Sequence, residues 1–421
     1  MQRQIIIIGA GIAGLSAARA LTAAGHVVTL VESSDRAGGR VASDRIDGFT
    51  IDRGFQIYLS AYPEGPALLD LRALDLKAFM PGARVWNGRS SVTIAHPFRE
   101  PLAALVGIVR GIAGGFLPPR DALRMLPFAR AALRGPSDQP GAACGVGARA
   151  RLRAAGISDR TINTFFRAFF GGVFFDSSLE TDASRLDFLL RMFAEGFACV
   201  PAKGMGEIAA QLTRSLPRTA QLRLSTKAEA IEMGRVRLAS GEVLDADSVI
   251  VATGAHELRR FAPNLPEIHW CGTLSAWFAT PEPSRLPSWL VLNGSGLGAF
   301  NHGAAMSAIA PEYAPSGRGL FVANTAKLPS DPDRSRDTAE DMRRTLQQIL
   351  GRAATDGWKL VALQRIERAI PRQWPSDLAG RLPASLGSRV FVAGDHLEDA
   401  SINGAMRSGR LAASACLRSL A

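Results

Sequence analysis

Cysteine is scarce in this chain of 421 residues, which has only four, and no two of them stand in a CxxC pair. This spacing excludes a disulfide-rich scaffold, and no Cys/His pattern suits a zinc ion. Scattered single cysteines are typical of a reducing cytosol, where each fills apolar space. We therefore expect a cytoplasmic protein without a metal site. The four are Cys144, Cys199, Cys271 and Cys416.

Long hydrophobic runs are also missing. The longest, residues 102–117, covers about 16 residues and contains Arg110, so it is too short and too charged to span a bilayer. A signal peptide is a poor interpretation of residues 1–24, because cleavage would remove the glycine-rich turn at residues 9–14. We expect a soluble protein, or one that lies on the inner face of a membrane.

Motifs for nucleic-acid binding are absent, although the formal net charge is +11. No zinc-finger spacing, RNA-binding aromatic motif or basic tail occurs, so we predict no nucleic-acid partner. The excess of arginine then fits an acidic ligand, a membrane surface or codon bias alone. Hydrophobic residues make up 47% and charged residues 21%, as in an ordinary globular protein, and the length suits two domains.

A glycine-rich turn near the N-terminus has the context of a nucleotide-binding site. An apolar strand, 5–8, leads into the pattern Gly-x-Gly-x-x-Gly, and helix-forming residues follow up to Gly25. A second strand, 26–31, ends at Glu32, 18 residues after the third glycine. Between a strand and a helix this pattern predicts dinucleotide binding. A glycine-rich turn without a ligand is the alternative.

Each residue of this pattern would have a separate role. Gly9 permits a tight turn, Gly11 lets a pyrophosphate approach the backbone, and Gly14 lets the helix touch the strand. Glu32 would accept hydrogen bonds from the ribose hydroxyls. The helix would face the phosphates with free N–H groups and the positive end of its dipole. The helix residues at this end are Ile12 and Ala13.

The residues after Glu32 distinguish FAD from NAD. They read E-x-x-x-R-x-G-G-R, and this run resembles the FAD-binding amine oxidase, phytoene desaturase and protoporphyrinogen oxidase superfamily. The resemblance implies FAD, with a second close approach of the backbone to the pyrophosphate and two added cations. A solvated charged loop is the alternative. The residues concerned are Arg36, Gly38, Gly39 and Arg40.

Three further segments follow in the order of that family. Residues 49–56 resemble the segment that leads toward the isoalloxazine ring, and the alternating strand 222–231 resembles the one that brackets adenine. A hairpin, 235–244, precedes a strand that ends in an Ala-Thr-Gly turn. The residues that the resemblance assigns to FAD here are Gly54, Phe55, Gln56, Ala228, Thr253 and Gly254.

Residues 390–413 repeat the order of strand, turn and helix at the other end of the chain. The helix is predicted to begin near residue 404. The resemblance implies that Asp395 accepts from ribityl hydroxyls or orients the pyrophosphate through water. The backbone N–H of Met406, at the helix start, would stabilise negative charge at flavin N1/O2. The residues assigned to FAD at this end are Gly394, Asp395, Ser401 and Met406.

The fold implied is α/β, with a Rossmann-like FAD domain of the two-dinucleotide-binding type and an inserted α+β substrate domain. The FAD domain would comprise residues 1–80, 200–264 and 376–421. The substrate domain would comprise residues 81–199 and 265–375, with an antiparallel sheet and helices. The segments with the pattern of sheet strands are 272–280, 289–293 and 319–324.

The first insertion contains two candidate helices. Apolar residues recur at helical spacing from Leu102 to Phe116, and a basic helix over 120–134 contains Pro127, which predicts a kink or a break. Segment 99–134 has six arginines and two acids, a net charge of +4. Basic amphipathic helices rest on anionic bilayers, so peripheral membrane contact is one interpretation. In the other, the apolar stripe packs on the domain and the arginines are solvated.

The run 165–175 holds six aromatic residues. It is either structural core or, beside a flavin, the lining of an apolar cavity. The second interpretation agrees with the resemblance, because many members of the family act on lipophilic polyenes or porphyrinogens.

Three classes of chemistry fit these features. The first is dehydrogenation (desaturation) of a hydrophobic small molecule by hydride transfer to flavin N5. The second is flavin amine oxidation, for which relatives use a Tyr near the C-terminal motif, whereas none stands in 394–413. The third is a non-oxidative flavin-dependent isomerase or an FAD-retaining lipid-binding protein. No S-G-G-C-Y-type run for covalent attachment occurs, so we expect noncovalent FAD. The electron acceptor (oxygen, a quinone or a protein) stays open.

Two side chains are the catalytic candidates. Gln56 follows the Asp-Arg-Gly turn and could hydrogen-bond the flavin edge or a substrate oxygen, or it could satisfy the backbone. His396 follows Asp395 and could act as an acid or base, or it could be an ordinary histidine behind the site.

Overall fold

A computed structural model gives the fold of the chain. Its strands and α-helices are numbered β1–β21 and α1–α15 in chain order. The residues that the structure describes are 1–420 except 97–98, 137, 139–140, 233, 264, 282, 284–285, 380–383 and 388.

The strands of the described residues have these bounds: β1 Gln4–Ile8, β2 Val27–Val31, β3 Ser43–Ile46, β4 Phe49–Asp52, β5 Tyr58–Leu59, β6 Leu76–Ala78, β7 Gly82–Trp86, β8 Ser91–Ala95, β9 Ala198–Pro201, β10 Ala220–Arg223, β11 Ala228–Glu232, β12 Arg235–Leu238, β13 Val243–Asp245, β14 Ser248–Val251, β15 Trp270–Thr280, β16 Leu290–Asn293, β17 His302–Ala305, β18 Gly319–Thr325, β19 Lys359–Pro371, β20 Ser385–Gly387 and β21 Val390–Val392.

The α-helices have these bounds: α1 Ile12–Ala23, α2 Gly65–Leu68, α3 Pro101–Ala113, α4 Pro119–Leu133, α5 Ala148–Ala154, α6 Asp159–Thr161, α7 Arg167–Val173, α8 Ala183–Glu195, α9 Gly206–Arg214, α10 Leu258–Phe261, α11 Met306–Ile309, α12 Ser335–Leu350, α13 Arg352–Thr355, α14 Pro375–Ala379 and α15 Ile402–Leu420. A π-helix, Ile162–Phe166, precedes α7.

A mostly parallel sheet of six strands, in the order β10-β2-β1-β14-β21-β20, contains both ends of the chain. All neighbours are parallel except β20 and β21. Four consecutive isoleucines make β1 apolar on both faces, as a central parallel strand requires, and all four are buried. The carboxyl ends of β1, β2, β14 and β21 lie at one edge, where Gly9, Glu32, Ala252 and Ala393 follow.

The first and last long helices cover this sheet together. A Cβ at Gly409 of α15 would lie 2.2 Å from the carbonyl oxygen of Ala13 in α1, so the two helices are in backbone contact. This contact brings the residues before α15 close to the glycine turn before α1, although they are far apart in sequence.

A second sheet has seven strands in the order β19-β15-β18-β17-β16-β7-β8. The three predicted segments form β15, β16 and β18, and their neighbours are antiparallel with one exception. Strand β16 pairs in parallel with β7, Leu290 opposite Ala83, because these two strands come from different insertions and are joined by a long connection.

Not every predicted element is one element. The predicted strand 222–231 is two strands: β10 belongs to the six-stranded sheet, whereas β11 belongs to a three-stranded antiparallel sheet with β12 and β13. Ser225, between them, has a φ of +50°, and its N–H donates to the carbonyl oxygen of Ser34. The alternating pattern therefore concealed a turn. The hairpin predicted over 235–244 is confirmed by the pairing of β12 with β13.

The six-stranded sheet takes its strands from the segments that the sequence assigns to an FAD domain. The seven-stranded sheet takes its strands from the two predicted insertions. The division into two domains stays a prediction.

Helices α3 and α4 occupy the segment predicted to be helical, and α4 continues through Pro127 without a break. The apolar stripe of α3 is exposed: Leu102 is 79% exposed and Leu105 61%. The interpretation in which this stripe packs on the domain is therefore wrong for α3, and only Phe116, which follows the helix, is buried. In the described part of the chain, no helix is long and apolar enough to cross a membrane.

Candidate functional site

The N-terminal glycine turn has the geometry that its spacing predicts. Gly9 has a φ of +103°, and a Cβ there would lie 2.7 Å from the carbonyl oxygen of Ala252. A Cβ at Gly14 would lie 2.0 Å from the oxygen of Gly9, so α1 packs directly on the turn. At Gly11 a Cβ would meet no described atom within 4 Å. The turn is therefore tight on its protein side, and open space remains beside Gly11.

Glu32 is fixed at the end of β2 by neighbouring donors. The N–H of Ala10 donates to its Oε2 over 2.8 Å, and the N–H and hydroxyl of Ser34 donate to its Oε1 over 2.9 and 2.7 Å. The residue is 9% exposed and lines the same cavity as Gly11. The Ser33 hydroxyl lies 3.4 Å from the same Oε1, so the acceptor capacity that remains for a ribose hydroxyl is on Oε2.

The two glycines that follow bring a second piece of backbone to the turn. Gly38 pairs with Gly11 in an isolated parallel bridge, and its φ is +117°. A Cβ at Gly38 would lie 2.5 Å from the carbonyl oxygen of Val41. This pairing places a second stretch of backbone beside the glycine turn, as the predicted second close approach to a pyrophosphate requires.

The two arginines of this run have different positions. Arg36 forms an ion pair with Asp44 over 2.6 Å, and it is not among the described residues that line the cavity. Arg36 therefore lies in the supporting loop behind Asp44, which lines the cavity, and its predicted role toward the pyrophosphate stays a prediction. Arg40 lines the cavity and donates to Asp395 over 2.5 Å, so it joins the N-terminal loop to the C-terminal turn.

The C-terminal helix begins earlier than predicted. The first hydrogen bond of α15 runs from the N–H of Ala405 to the carbonyl oxygen of Ser401, over 3.0 Å. Met406 is therefore inside the helix, fully buried, and not a free donor at its start. The backbone N–H groups at the start of α15 are those of its first turn, at Ile402 and Asn403.

His396 lies outside the site. Burial lowers the pKa of its imidazole to about 4, so the ring is neutral at neutral pH. Its Nε2 has no hydrogen-bond partner among the described residues, and its ring packs over Gly394. The ring does not line either large cavity of the described structure. The acid/base role predicted for His396 is therefore not supported by its position.

These elements line one cavity of about 1000 Å³, which we call the glycine-lined cavity. Of the residues predicted to bind FAD, all line it except Gly14, Arg36 and Met406, as far as the described residues show. Its walls come from the N-terminal turn, from the Ala228 strand, from the Ala-Thr-Gly turn and from the C-terminal turn. Open space at Gly11, the start of two helices and the cation of Arg40 suit a dinucleotide diphosphate.

A second cavity of about 520 Å³, the aromatic-lined cavity, lies beside it. Its walls come from the predicted insertions, mainly from α7, α8 and the strands β7, β8 and β16. The phenylalanines that line it are Phe55, Phe79, Phe165, Phe169, Phe170, Phe174, Phe175, Phe188, Phe193 and Phe197. Of the six aromatic residues in the run 165–175, Phe166 belongs only to the core, and the other five line this cavity. The run is therefore partly structural core and partly cavity lining, so both interpretations hold in part.

The two cavities meet. They share a set of lining residues, which we call the junction: Phe55, Gln56, Phe175, Ile370, Ala400, Ser401 and Ile402. Gln56, one of the two catalytic candidates, belongs to the junction. Its amide nitrogen donates to the carbonyl oxygens of Arg40 and Arg53 over 2.7 and 2.9 Å, so it holds the loop as the structural interpretation proposed. Phe175 has a φ of +49°, which is uncommon for a bulky residue and marks the junction as strained.

A few polar groups interrupt the aromatic-lined cavity. Burial lowers the pKa of His302 to about 4, and its ring lies 5.5 Å from that of Phe55. Asp399 is 5% exposed, and its Oδ1 has no hydrogen-bond partner among the described residues. Burial raises the pKa of this carboxyl group. These two groups are polar positions in a wall that is otherwise mainly apolar.

The sequence missed several lining residues of the glycine-lined cavity. Trp270 and Arg368 come from β15 and β19, and the guanidinium of Arg40 lies 5.5 Å from the ring of Trp270. In the aromatic-lined cavity, His302 and Asp399 were also missed. Trp270, Arg368 and His302 have no local pattern, because they reach the cavities through strands that are distant in sequence from the motifs, whereas Asp399 stands within the C-terminal segment and no role was assigned to it. Among the described residues no group of His, Cys, Asp and Glu could hold a metal ion.

Asp52 anchors the segment that leads to the junction. Its Oδ1 accepts from the Ser43 hydroxyl and the Met205 N–H over 2.5 and 2.9 Å, and its Oδ2 accepts from the Tyr313 hydroxyl over 2.7 Å. The residue is 1% exposed, and this burial raises the pKa of its carboxyl group to about 6. Asp52 thereby joins β3, β4 and the turn before α9.

We expect the stability of wild type relative to Asp52→Asn to fall as pH rises from about 4 to 7. The pKa of Asp52 is about 6 in the folded protein and has the ordinary value of 3.8 in the unfolded chain. The stabilisation from protonating Asp52 is therefore complete below pH 3.8 and is lost as the pH rises through 6. The difference in free energy of unfolding should change by about 3 kcal/mol. Denaturant titrations of both proteins measure it, and other carboxyl groups cancel in the difference. A difference independent of pH would contradict the raised pKa.

Comparison with known proteins gives a family match over most of the chain and relatives over short segments. A family model described as flavin containing amine oxidoreductase matches residues 12–417. The chain is 32% identical to coproporphyrinogen III oxidase of Propionibacterium freudenreichii subsp. freudenreichii over 105 residues, 25% of this chain and 19% of the relative. It is 41% identical to putrescine oxidase of Kocuria rosea over 75 residues, 18% of this chain and 16% of the relative.

A third relative is a 4,4'-diapophytoene desaturase (4,4'-diaponeurosporene-forming) of Staphylococcus haemolyticus, 48% identical over 50 residues, 12% of this chain and 10% of the relative. Each of these matches spans less than a fifth of the relative's length. Among solved structures, an oxidoreductase from Methanosarcina mazei superposes with a TM-score of 0.73 at 18% identity, covering 98% of this chain and all of the other. At that identity the likeness shows the fold, which is a mixed α/β fold.

Proposed function

Because the chain belongs to the family of flavin containing amine oxidoreductases, we propose that it is an FAD-dependent oxidoreductase that dehydrogenates a hydrophobic small molecule. The observation that carries this proposal is the junction, where the aromatic-lined cavity meets the cavity formed by the predicted FAD residues. A lipophilic ligand and a nucleotide cofactor in these two cavities would touch there. The resemblance of short segments to a desaturase and a porphyrinogen oxidase supports an apolar substrate.

In this proposal the six-stranded sheet is the core of a Rossmann-like domain of the two-dinucleotide-binding type, and the seven-stranded sheet belongs to an inserted α+β domain. Ligands of such sheets bind beyond the carboxyl ends of the strands. Gly9, Glu32 and Ala252 stand at that edge here.

The residues of the glycine-lined cavity would hold noncovalent FAD. The turn before α1 and the first turn of α15 would direct backbone N–H groups at the ligand, and Glu32 would accept from ribose hydroxyls. Arg40 would neutralise diphosphate charge, and its bond to Asp395 would then compete with the ligand. FAD, when bound, supplies a two-electron acceptor for the substrate carbon.

The aromatic-lined cavity would orient the substrate and exclude water. Phe55, Phe175 and Ile370 cover the junction with apolar surface. No strong base is needed there if the departing proton is acidic or leaves to water. We propose that positioning and water exclusion are the main contributions of the chain itself.

Amine oxidation is the second candidate, and Asp399 favours it. A buried carboxylate oxygen without a described partner suits an ammonium group. Tyr62 lies nearby, and burial first and the Asp399 carboxylate second raise the pKa of its hydroxyl group. Replacing Asp399 by Asn should then impair oxidation of amines and leave oxidation of apolar substrates unchanged.

We expect the purified protein to be yellow, to release its flavin on acid precipitation, and to be reduced anaerobically by an apolar substrate. The measurement is the loss of visible flavin absorbance against a panel of polyenes, porphyrinogens, amines and small alkenes. Reduction by amines alone would favour the second candidate. Flavin that stays oxidised while a panel compound is isomerised, or is bound unchanged, would reject an oxidoreductase in favour of a non-oxidative role.

A further inference from the structure

Helix α3 is oriented with its apolar side chains outward. The residues that it buries are Ala104, Gly107 and Gly111. A Cβ at Gly107 would lie 2.2 Å from the carbonyl oxygen of Thr93, so α3 rests directly on the backbone of β8. Its large side chains cannot turn inward at this distance. They are exposed by 38–79%, at Leu102, Leu105, Val106, Ile108, Val109 and Ile112.

Helix α4 begins a few residues after α3 and also has an exposed apolar side. Asp121 and Phe128 fix the helix from its inner side: Asp121 accepts from the Thr161 hydroxyl over 2.6 Å, and the Phe128 ring lies 6.1 Å from that of Phe166. The outer side presents Leu123, Leu126 and Leu133, exposed by 79%, 53% and 42%. We call the outer side of α3 and α4 the apolar face. It holds nine of the eighteen exposed large apolar residues of the described chain.

Basic residues surround the apolar face. The arginines at 110, 120, 124, 130, 134, 153 and 160 are exposed on α3, α4, the residue after α4, and the neighbouring helices α5 and α6. Of the two acids of segment 99–134, Asp121 is fully buried. Exposed apolar surface inside a basic margin is typical of proteins that lie on an anionic lipid surface. The exposed Asp159 pairs with Arg153 over 2.9 Å, but the margin keeps an excess of positive charge, so two copies of this face brought together would repel each other.

The aromatic-lined cavity is bounded by elements that lie next to α3. Strand β8, beneath α3, contributes Ile94 and Ala95 to the cavity wall. Arg99, two residues before α3, also lines the cavity, and its guanidinium lies 4.0 Å from the ring of Phe197. Phe197 is 44% exposed, so it stands where the cavity meets the surface. A ligand dissolved in a bilayer against α3 would be next to this opening.

We propose that the apolar face docks on an anionic lipid bilayer, with its leucines and valines inserted among the acyl chains and its arginines on the headgroup phosphates. The docking itself does not depend on the proposed redox function. Entry of a lipophilic substrate through the opening at Arg99 and Phe197 does rest on it.

Co-sedimentation with vesicles tests the docking. The full-length protein should bind vesicles of phosphatidylglycerol and phosphatidylcholine, bind pure phosphatidylcholine more weakly, and lose part of its binding as salt rises. Leu102→Gln with Leu105→Gln should reduce partitioning by roughly tenfold or more, because two exposed apolar side chains are lost. Flavin content and circular dichroism should stay unchanged, since neither residue is buried.

Matched controls separate the outcomes. Leu297→Gln removes a side chain of similar exposure (69%) outside the apolar face and should leave binding unchanged. Arg120→Gln with Arg130→Gln should reduce the salt-sensitive part, whereas Arg218→Gln with Arg259→Gln should not. Wild type that fails to sediment, or the α3 pair binding as wild type does, would overturn the proposal. If wild type self-associates but does not bind lipid, and the Leu102→Gln, Leu105→Gln variant does not self-associate, the apolar face would instead be an interface with a second copy of the chain. Flavin retention and substrate reduction in detergent report the proposed function independently.

Discussion

The Gly11→Val variant is expected to fold normally and to be purified without flavin. Gly11 has a φ of −71° and a ψ of 179°, a conformation that valine adopts readily. A Cβ there meets no described atom within 4 Å, so the free protein accommodates the side chain. The added methyl groups would instead occupy the space into which we place the pyrophosphate.

Loss of the backbone hydrogen bonds to a charged diphosphate should reduce flavin affinity by roughly 100-fold or more. The measurements are the flavin absorbance per protein and the melting temperature. Gly141→Val is the matched control, because a Cβ at Gly141 also meets no described atom within 4 Å and that residue lies outside the glycine-lined cavity. Full flavin content in Gly11→Val would contradict our placement of the cofactor. If valine prevents folding, Gly11→Ala gives the same test with a smaller side chain.

Phe169→Asp is expected to keep its flavin and lose reduction by an apolar substrate, whereas Phe170→Asp is expected to unfold. Both rings line the aromatic-lined cavity, but Phe169 is partly exposed to it and Phe170 is 1% exposed and part of the main core. A carboxylate at position 169 places charge in the apolar space meant for substrate, and it remains reachable by water. At position 170 the carboxylate would be buried without a partner.

We expect Phe169→Asp to slow anaerobic flavin reduction by about 100-fold or more, with the flavin spectrum unchanged. For Phe170→Asp, loss of a buried phenylalanine alone costs about 3–5 kcal/mol of unfolding free energy, and the buried charge adds to it. Phe169→Leu is the control, because it keeps the cavity apolar. Should Phe169→Asp lose both flavin and fold, Phe169 belongs to the core, and the aromatic-lined cavity is not the substrate site.

How far the sequence predicted the site depends on how local each signal is. The glycine turns, Glu32 and the Ala-Thr-Gly turn line the glycine-lined cavity as a group, and the sequence could predict this because each position is fixed within a few residues of a strand end. The pairing of Arg36 with Asp44 on β3 could not be predicted, because the loop between them has no pattern that fixes its path. The start of α15 was misplaced by two residues, which moved the free N–H groups from Met406 to Ile402 and Asn403.

The sequence by itself determined the order of parallel-strand signals, the glycine positions with restricted backbone angles, and the resemblance to a flavin family. These follow from steric rules that act between neighbouring residues. Only the tertiary structure decided which polar side chains reach a cavity, since Trp270, His302 and Asp399 arrive from strands or loops far apart in sequence. It also decided the direction of α3. An apolar stripe predicts a buried face, but the close contact between Gly107 and Thr93 leaves room only for glycine and alanine beneath the helix, and the apolar side chains face outward.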